Sequence, residues 1–325
     1  MNALFESIRE AAAADAPGLA DITLPPDGRY QRAETTIREL SDAVSGVLRA
    51  GFEHVSDFPL LVVGWGRCRV GSTAMTNLFG IAGAAAYYQP VKTIARFRLV
   101  GGEGTPWRFG PQERILFAKE MAGPYIPYEA LFNPIQCLMA AGWPADRLHL
   151  LVLDREPRAS LDSWMGKWHE KIGRIRVIEN FLLSTMNYDR MRAFARREGV
   201  ATTHFPYEAS RAPAETVRWM FDRIGVGELF DERMLTGWGT SGDLNSADAK
   251  IHFPAEPAEY VVPGIHGQGS EYSYQPRRIS QLRDDELSVA EAAAVVASYR
   301  ASIDGFCREL EVSPEWRQKI FPESL

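Results

Sequence analysis

Cysteine is scarce in this 325-residue chain. The three present, Cys68, Cys137 and Cys307, are odd in number and have no metal-ligand spacing. That excludes a disulfide framework and a cysteine-built zinc site, and it fits reduced thiols in a cytoplasmic protein. No apolar run approaches the ~20 residues needed to cross a bilayer, so no membrane span is expected. The stretch from Met1 to Pro17 mixes Glu and Arg with alanines and lacks the uncharged apolar centre of a signal peptide. Positive charge is not in excess: 36 Lys and Arg face 42 Asp and Glu, a formal net charge of −6. Nucleic acid, which normally meets a basic surface, is therefore not an expected partner. A small anionic ligand needs only a few local cations and stays open. No group of His, Cys and acids stands out as a metal centre, and no metal is expected.

What is present is an ordinary globular composition, 46% hydrophobic and 24% charged. Residues 1–30 read as a loose lead-in with a turn at Pro25-Pro26-Asp27-Gly28. Apolar positions recur at helical spacing from Ala33 to Phe52. The apolar run 58–64 does not alternate and reads as a strand buried on both faces; a second apolar run, 115–118, ends at Lys119-Glu120, and a third, 148–153, ends at Asp154-Arg155. A helix is predicted from near Gly71, a long one over 174–197, and another from Pro213 to Gly225, with a short strand over 202–205 before it. Residues 237–280, rich in Gly, Ser and Pro, form a long loop that could serve as a lid. The last helix is predicted from Ser288, with Glu291 closing a capping box, to about Leu310. Strands alternating with helices predict an α/β fold with a central, mainly parallel sheet flanked by helices. The expected organisation is one domain over 1–325: an N-terminal helical lead-in (1–57), a core (58–230), the long loop, and a C-terminal helix and tail (284–325). Ligands on such sheets bind beyond the C-terminal strand ends.

Three segments there carry chemistry. The first is Gly66-Arg67-Cys68-Arg69-Val70-Gly71-Ser72-Thr73, two nearby glycines and two hydroxyls between a strand and a helix. Backbone N–H groups at a helix start, with the helix dipole, favour an anion there. A phosphate-transferring P-loop places Lys directly after its second Gly; here that residue is Ser72, and the cations sit inside the loop at Arg67 and Arg69. The second is Asp154-Arg155-Glu156-Pro157-Arg158, with Ser163 eight residues after Arg155. An arginine fork and a helix-borne hydroxyl together suit a phosphate dianion. The third is Phe205-Pro206-Tyr207-Glu208, followed by the 213–225 helix.

In this order and spacing the segments resemble the 5′-phosphosulfate loop, the 3′-phosphate signature and the Tyr-Glu-Asp segment of sulfotransferases that use 3′-phosphoadenosine 5′-phosphosulfate (PAPS). One branch of that family reads Arg-Ser-Gly-Ser-Thr where this chain has Arg69-Val70-Gly71-Ser72-Thr73. Val70 and Glu156 depart from the family pattern. The resemblance spans Leu60 to Val226 and implies a P-loop-like three-layer fold. It implies PAPS as donor, 3′-phosphoadenosine 5′-phosphate as product, and a small-molecule or sugar hydroxyl as acceptor. It also implies donor contacts from Arg67, Cys68, Arg69, Val70, Gly71, Ser72, Thr73, Arg155 and Ser163, with Tyr207 near the adenine.

Arg69 and then Lys119 are the expected stabilisers of leaving-group charge; Lys119 resembles the lysine of a family Lys-Thr-His or Lys-Asp-Met segment. Where some branches carry Glu before Pro, this chain has Tyr88-Gln89-Pro90, and a neutral amide takes no proton. Glu120 and His169 are therefore the candidate bases, Glu120 first. Arg277, Arg278, Trp238, Tyr272 and Tyr274 are candidate contacts from the long loop. Trp107, Tyr125, Tyr128, Phe132, Trp164 and Trp168 are candidates for an aromatic acceptor pocket or for core. Two other readings stay open: a P-loop kinase or related NTP enzyme, and a catalytically inactive nucleotide-binding protein.

Overall fold

The apolar run that starts at Leu60 does not alternate because both of its faces are covered. In the computed structural model, which describes residues 3–13, 17–236, 238, 251–261 and 271–322, a small antiparallel ribbon joins β1 (Thr23–Leu24) and β2 (Thr35–Thr36). The main sheet consists of β3 (Leu60–Arg67), β4 (Ala85–Tyr88), β5 (Ile115–Ala122), β6 (Leu148–Asp154), β7 (Ala201–Pro206) and β8 (Ile251–His252). Its order is β7-β6-β3-β5-β4-β8, and each pairing is parallel. Strand β3 is central; Gly64 lies opposite Lys119 on β5 and Leu151 on β6.

Each face of the sheet carries its own core. Leu61, Val63 and Trp65 face the helices Ile37–Phe52, Pro90–Leu99 and Arg174–Arg197, whereas Val62, Leu151 and Leu153 face Ser72–Ile81, Pro213–Ile224 and Ala293–Glu309. Helices on both sides of a parallel sheet make the three-layer α/β fold that the pattern predicts. Val44, Leu48, Leu78 and Phe79 are each fully buried, a contribution of about 1.5–3 kcal/mol per side chain before ordering costs. No helix among the described residues is long and apolar enough to cross a membrane.

Several boundaries differ from the sequence reading, each for a local reason. The first long helix starts at Ile37, not Ala33, because Thr36 and Glu39 form a reciprocal capping box. The lead-in is not loose: Ala3–Ala13 is a helix that buries Phe5, Ile8 and Ala12. The C-terminal helix is two helices. Asp284–Ala290 begins four residues before Ser288, with the Glu286 carboxylate accepting from Arg283 N at 2.9 Å, and the chain breaks before Ala293–Glu309. A further helix, Pro314–Ile320, follows Ser313, whose hydroxyl caps it. Strand β5 runs on to Ala122, four residues past the predicted end, which places Lys119 and Glu120 inside a strand. Of the 237–280 loop, residues 237, 239–250 and 262–270 lie outside the described residues; the rest includes β8 and a buried Trp238 and Tyr272.

The chain leaves β3 toward β4 on one side and places β6 on the other. The turns after β3 and β6 and the end of β5 therefore converge at one edge, where sheets of this kind open a crevice.

Candidate functional site

Strand β3 ends at Arg67, and the turn that follows reaches the helix Ser72–Ile81 through two left-handed residues, Arg69 (φ 69°) and Gly71 (φ 83°). A non-glycine residue in that region is strained, and such strain collects at sites that need it. Glycine at 71 is required twice. Besides its φ, a Cβ there would meet the Tyr207 ring at 2.7 Å. The N–H groups of Gly71, Ser72, Thr73 and Ala74 have no acceptor among the described residues, and no side chain caps this helix. Gly71→Ala should therefore destabilise the fold by about 1–3 kcal/mol and displace Tyr207; denaturant unfolding with tyrosine fluorescence reads both.

The cations gather around this helix start without acidic partners. Arg69 donates from Nε to the Ser163 hydroxyl at 3.0 Å. Arg155 lies 4.5 Å over the Tyr207 ring and donates to Arg69 O at 3.3 Å. Lys119 Nζ is 3.4 Å from Thr73 Oγ1 and 3.9 Å from the Tyr88 ring centre. None of the three has an ion pair among the described residues. Burial first, then Arg277 and Arg155, pull the Arg69 pKa below its usual value. Burial first, then Lys92, with Arg69 also nearby, lowers Lys119 to about 7. Cations held together against their own repulsion are poised for an anion. They border a cavity of about 380 Å³, which Asn77, Tyr207, Trp238 and Gln275 also line. Asn77 Nδ2 is buried there with no hydrogen-bond partner among the described residues.

A second cavity, about 290 Å³, adjoins the first; Cys68, Lys119 and Trp168 belong to both. Its walls include Tyr88, Tyr125, Phe253 and Tyr260, with Gln89, Arg96 and Glu256 as polar groups. A larger cavity of about 530 Å³ opens between Pro157 and Arg300. There Arg158 pairs with Glu156 and Arg277 with Asp162, so those cations are already engaged.

The sequence-predicted residues thus divide. Arg69, Gly71, Ser72, Thr73, Lys119, Arg155 and Tyr207 line one cavity, and Ser163 is bonded to Arg69. Cys68 also lines it, its thiol pushed by burial up to about 12 and so un-ionised. Arg67 does not reach it. Its guanidinium is 1% exposed, pairs with Asp154 at 2.7 Å, bonds Thr185 Oγ1 at 3.0 Å and lies 4.5 Å over the Phe181 ring. Val70 is packed into the core, which removes its side chain from any ligand.

Neither candidate base lines any of these three cavities. Glu120 and Lys119 are neighbours in β5, and adjacent strand residues point to opposite faces. The Glu120 carboxylate is fully buried and accepts the N–H groups of Val91 and Lys92 at 2.7 and 3.1 Å, holding the start of the Pro90–Leu99 helix. Burial pushes it up to about 8. His169 Nδ1 lies 2.6 Å from Met165 O on its own helix and lines neither cavity. Of the candidate pocket aromatics, Tyr125 and Trp168 line the second cavity, whereas Trp107, Tyr128, Phe132 and Trp164 are core. Of the loop contacts, Trp238 lines the first cavity. Tyr272 is buried, Tyr274 packs 5.5 Å from Tyr207, Arg277 holds Asp162, and Arg278 is exposed.

Sequence reasoning missed Asn77, Lys92, Arg96 and Glu256. Asn77 was legible as a polar position among the inner-face residues of the first helix after the loop. Glu256 was not legible, because its place depends on β8 pairing with β4 at a distance of more than 160 residues.

No protein-family model, no curated protein and no solved structure matches the chain.

Proposed function

We propose that this protein is a sulfotransferase that moves a sulfuryl group from PAPS to a hydroxyl of a small molecule. The observation that carries the reading is the set of cations Arg69, Arg155 and Lys119, without ion pairs among the described residues, around a helix start whose first N–H groups find no acceptor among them, with a second cavity meeting it at Lys119. A donor with a phosphosulfate at one end and a 3′-phosphate at the other fits two such anion positions. The loop N–H groups and Lys119 would hold the 5′ end, and Arg155 with the Arg69–Ser163 pair would hold the 3′-phosphate. Tyr207 and the Asn77 amide would meet the nucleoside. Fixed donors at these places would stabilise the charge that grows on the leaving phosphate. An NTP reading is less well supported, because Lys119 comes from the neighbouring strand rather than from the position after Gly71.

Calorimetry with 3′-phosphoadenosine 5′-phosphate, and labelled PAPS with a panel of alcohols, phenols and sugars, test the proposal. Binding and transfer are expected; turnover of ATP with magnesium in their place would sink it, and binding without transfer to any acceptor would favour an inactive protein. The pH dependence adds a sharper check. A bound anion favours the Lys119 ammonium, so above about 7, where the free side chain loses its proton, binding must take one up. Affinity should fall as pH rises through this range, by at most about tenfold per pH unit. Lys119→Met should flatten that slope.

A further inference from the structure

The second cavity contains one carboxylate oxygen with no partner among the described residues. Glu256 enters from the segment after β8, its side chain 25% exposed. Its Oε1 accepts from Arg96 Nη1 at 2.6 Å and from Gln89 Nε2 at 3.3 Å. Its Oε2 has no partner among the described residues. Gln89 is itself held in a left-handed conformation (φ 51°), with its N–H donating to Lys119 O at 2.8 Å. The same residue therefore ties the Glu256 carboxylate to the backbone of the lysine shared by both cavities.

Of the other polar groups in this cavity, Lys119 also borders the first cavity, where the donor reading places it on the phosphosulfate, and three more are engaged or un-ionised. Lys92 donates to Met121 O at 2.6 Å. The Tyr88 hydroxyl donates to Thr73 Oγ1 at 2.7 Å, and burial raises its pKa. The Cys68 thiol is un-ionised. Arg96 has a second carboxylate, Glu129, at 2.7 Å, but that acid is fully buried behind the cavity and does not line it.

Resting on the sulfotransferase reading, we propose that Glu256 Oε2 is the general base of the reaction and that the acceptor is a single-ring hydroxyl compound of the phenol class. In the step, the acceptor O–H proton passes to Glu256 Oε2. The freed electron pair forms the O–S bond to the sulfuryl group of PAPS. The S–O bond to the 5′-phosphate breaks, and its pair leaves with 3′-phosphoadenosine 5′-phosphate, whose new charge faces Lys119 and the loop N–H groups. The cavity is at the small end for ligand sites. Tyr125 stands edge-on to Tyr260 (5.4 Å) and to Trp168 (6.4 Å), which suits one ring rather than a fused system.

The test uses acceptor acidity. Phenol must lose its proton to react, whereas 4-nitrophenol is already ionised at about pH 8 and needs no base. With the full chain and PAPS, Glu256→Gln is expected to slow transfer to phenol by about 100-fold or more. Transfer to 4-nitrophenolate should change by less than about fivefold, and 3′-phosphoadenosine 5′-phosphate affinity by less than about threefold. Arg96 keeps Glu129 in the variant, so folding should survive, and thermal unfolding checks it. Equal losses on both acceptors would mean that Glu256 only shapes the cavity, and no loss on phenol would mean it is not the base; either overturns the assignment. A four-ring steroid alcohol that outpaces phenol in the wild type overturns the acceptor class. A wild type that binds no 3′-phosphoadenosine 5′-phosphate defeats the donor reading instead, and the inference with it.

Discussion

Arg69→Ala is expected to weaken 3′-phosphoadenosine 5′-phosphate binding by about 10- to 100-fold and to slow sulfuryl transfer at low PAPS by about the same factor. Arg69 is largely buried, touches Ser163 and has no acidic partner among the described residues. Its charge is opposed by Arg155 and Arg277 nearby. In the free protein that charge is a cost, and only an anion offsets it. The variant should therefore unfold no earlier in urea than the wild type, and a little later if the repulsion is appreciable. Loss of binding with retained or increased stability is the combined result expected of an anion-site arginine. A variant that lost stability and binding together would show Arg69 to be a structural residue. Isothermal calorimetry and urea titration on one preparation decide between the two.

Arg67→Ala should produce the opposite pattern: a loss of about 3–5 kcal/mol of stability, with nucleotide affinity reduced only as far as the fold is disturbed. Arg67 and Asp154 are each 1% exposed and 2.7 Å apart. Removal of the guanidinium leaves the Asp154 charge buried with hydrogen bonds from Arg155 N and Ser302 Oγ but without a counter-ion. Asp154 joins the ends of β3 and β6 to the Ala293–Glu309 helix, so the damage spreads to the edge where the loops converge. The Arg67→Met, Asp154→Leu double variant should regain much of the loss, because two apolar side chains leave no buried charge unpaired. Urea midpoints for the single and double variants test this. A double variant as unstable as Arg67→Ala would show that hydrogen bonding at Asp154, and not the ion pair, matters most.

These two arginines mark where the sequence stops being informative. They sit two residues apart in one loop and read alike in the sequence. The first closes a strand and turns inward to Asp154; the second follows it in a left-handed turn and faces the cavity. Residue type could not separate a latch from an anion contact. Lys119 and Glu120 give the same lesson. Four more residues of β5 pairing put them on opposite faces of the sheet, so the lysine reached the cavity and the acid became a helix anchor. Gln89 read as the loss of a carboxylate. In three dimensions its amide donates to one that arrives from the C-terminal half of the chain.

The sequence alone determined the layered α/β plan, because runs buried on both faces and helices buried on one leave few ways to cover apolar surface. It also determined the glycine-bearing turn at the end of the central strand, since glycines between a buried apolar run and a helical pattern are turn chemistry. What tertiary structure decided was which polar side chains meet. That depends on strand length, on the sheet face each residue takes, and on pairings such as that of β8 with β4 between segments far apart in the chain. Hydrophobic periodicity is a local property and is written into each segment. The meeting of charges across a sheet edge is set by how those segments pack together.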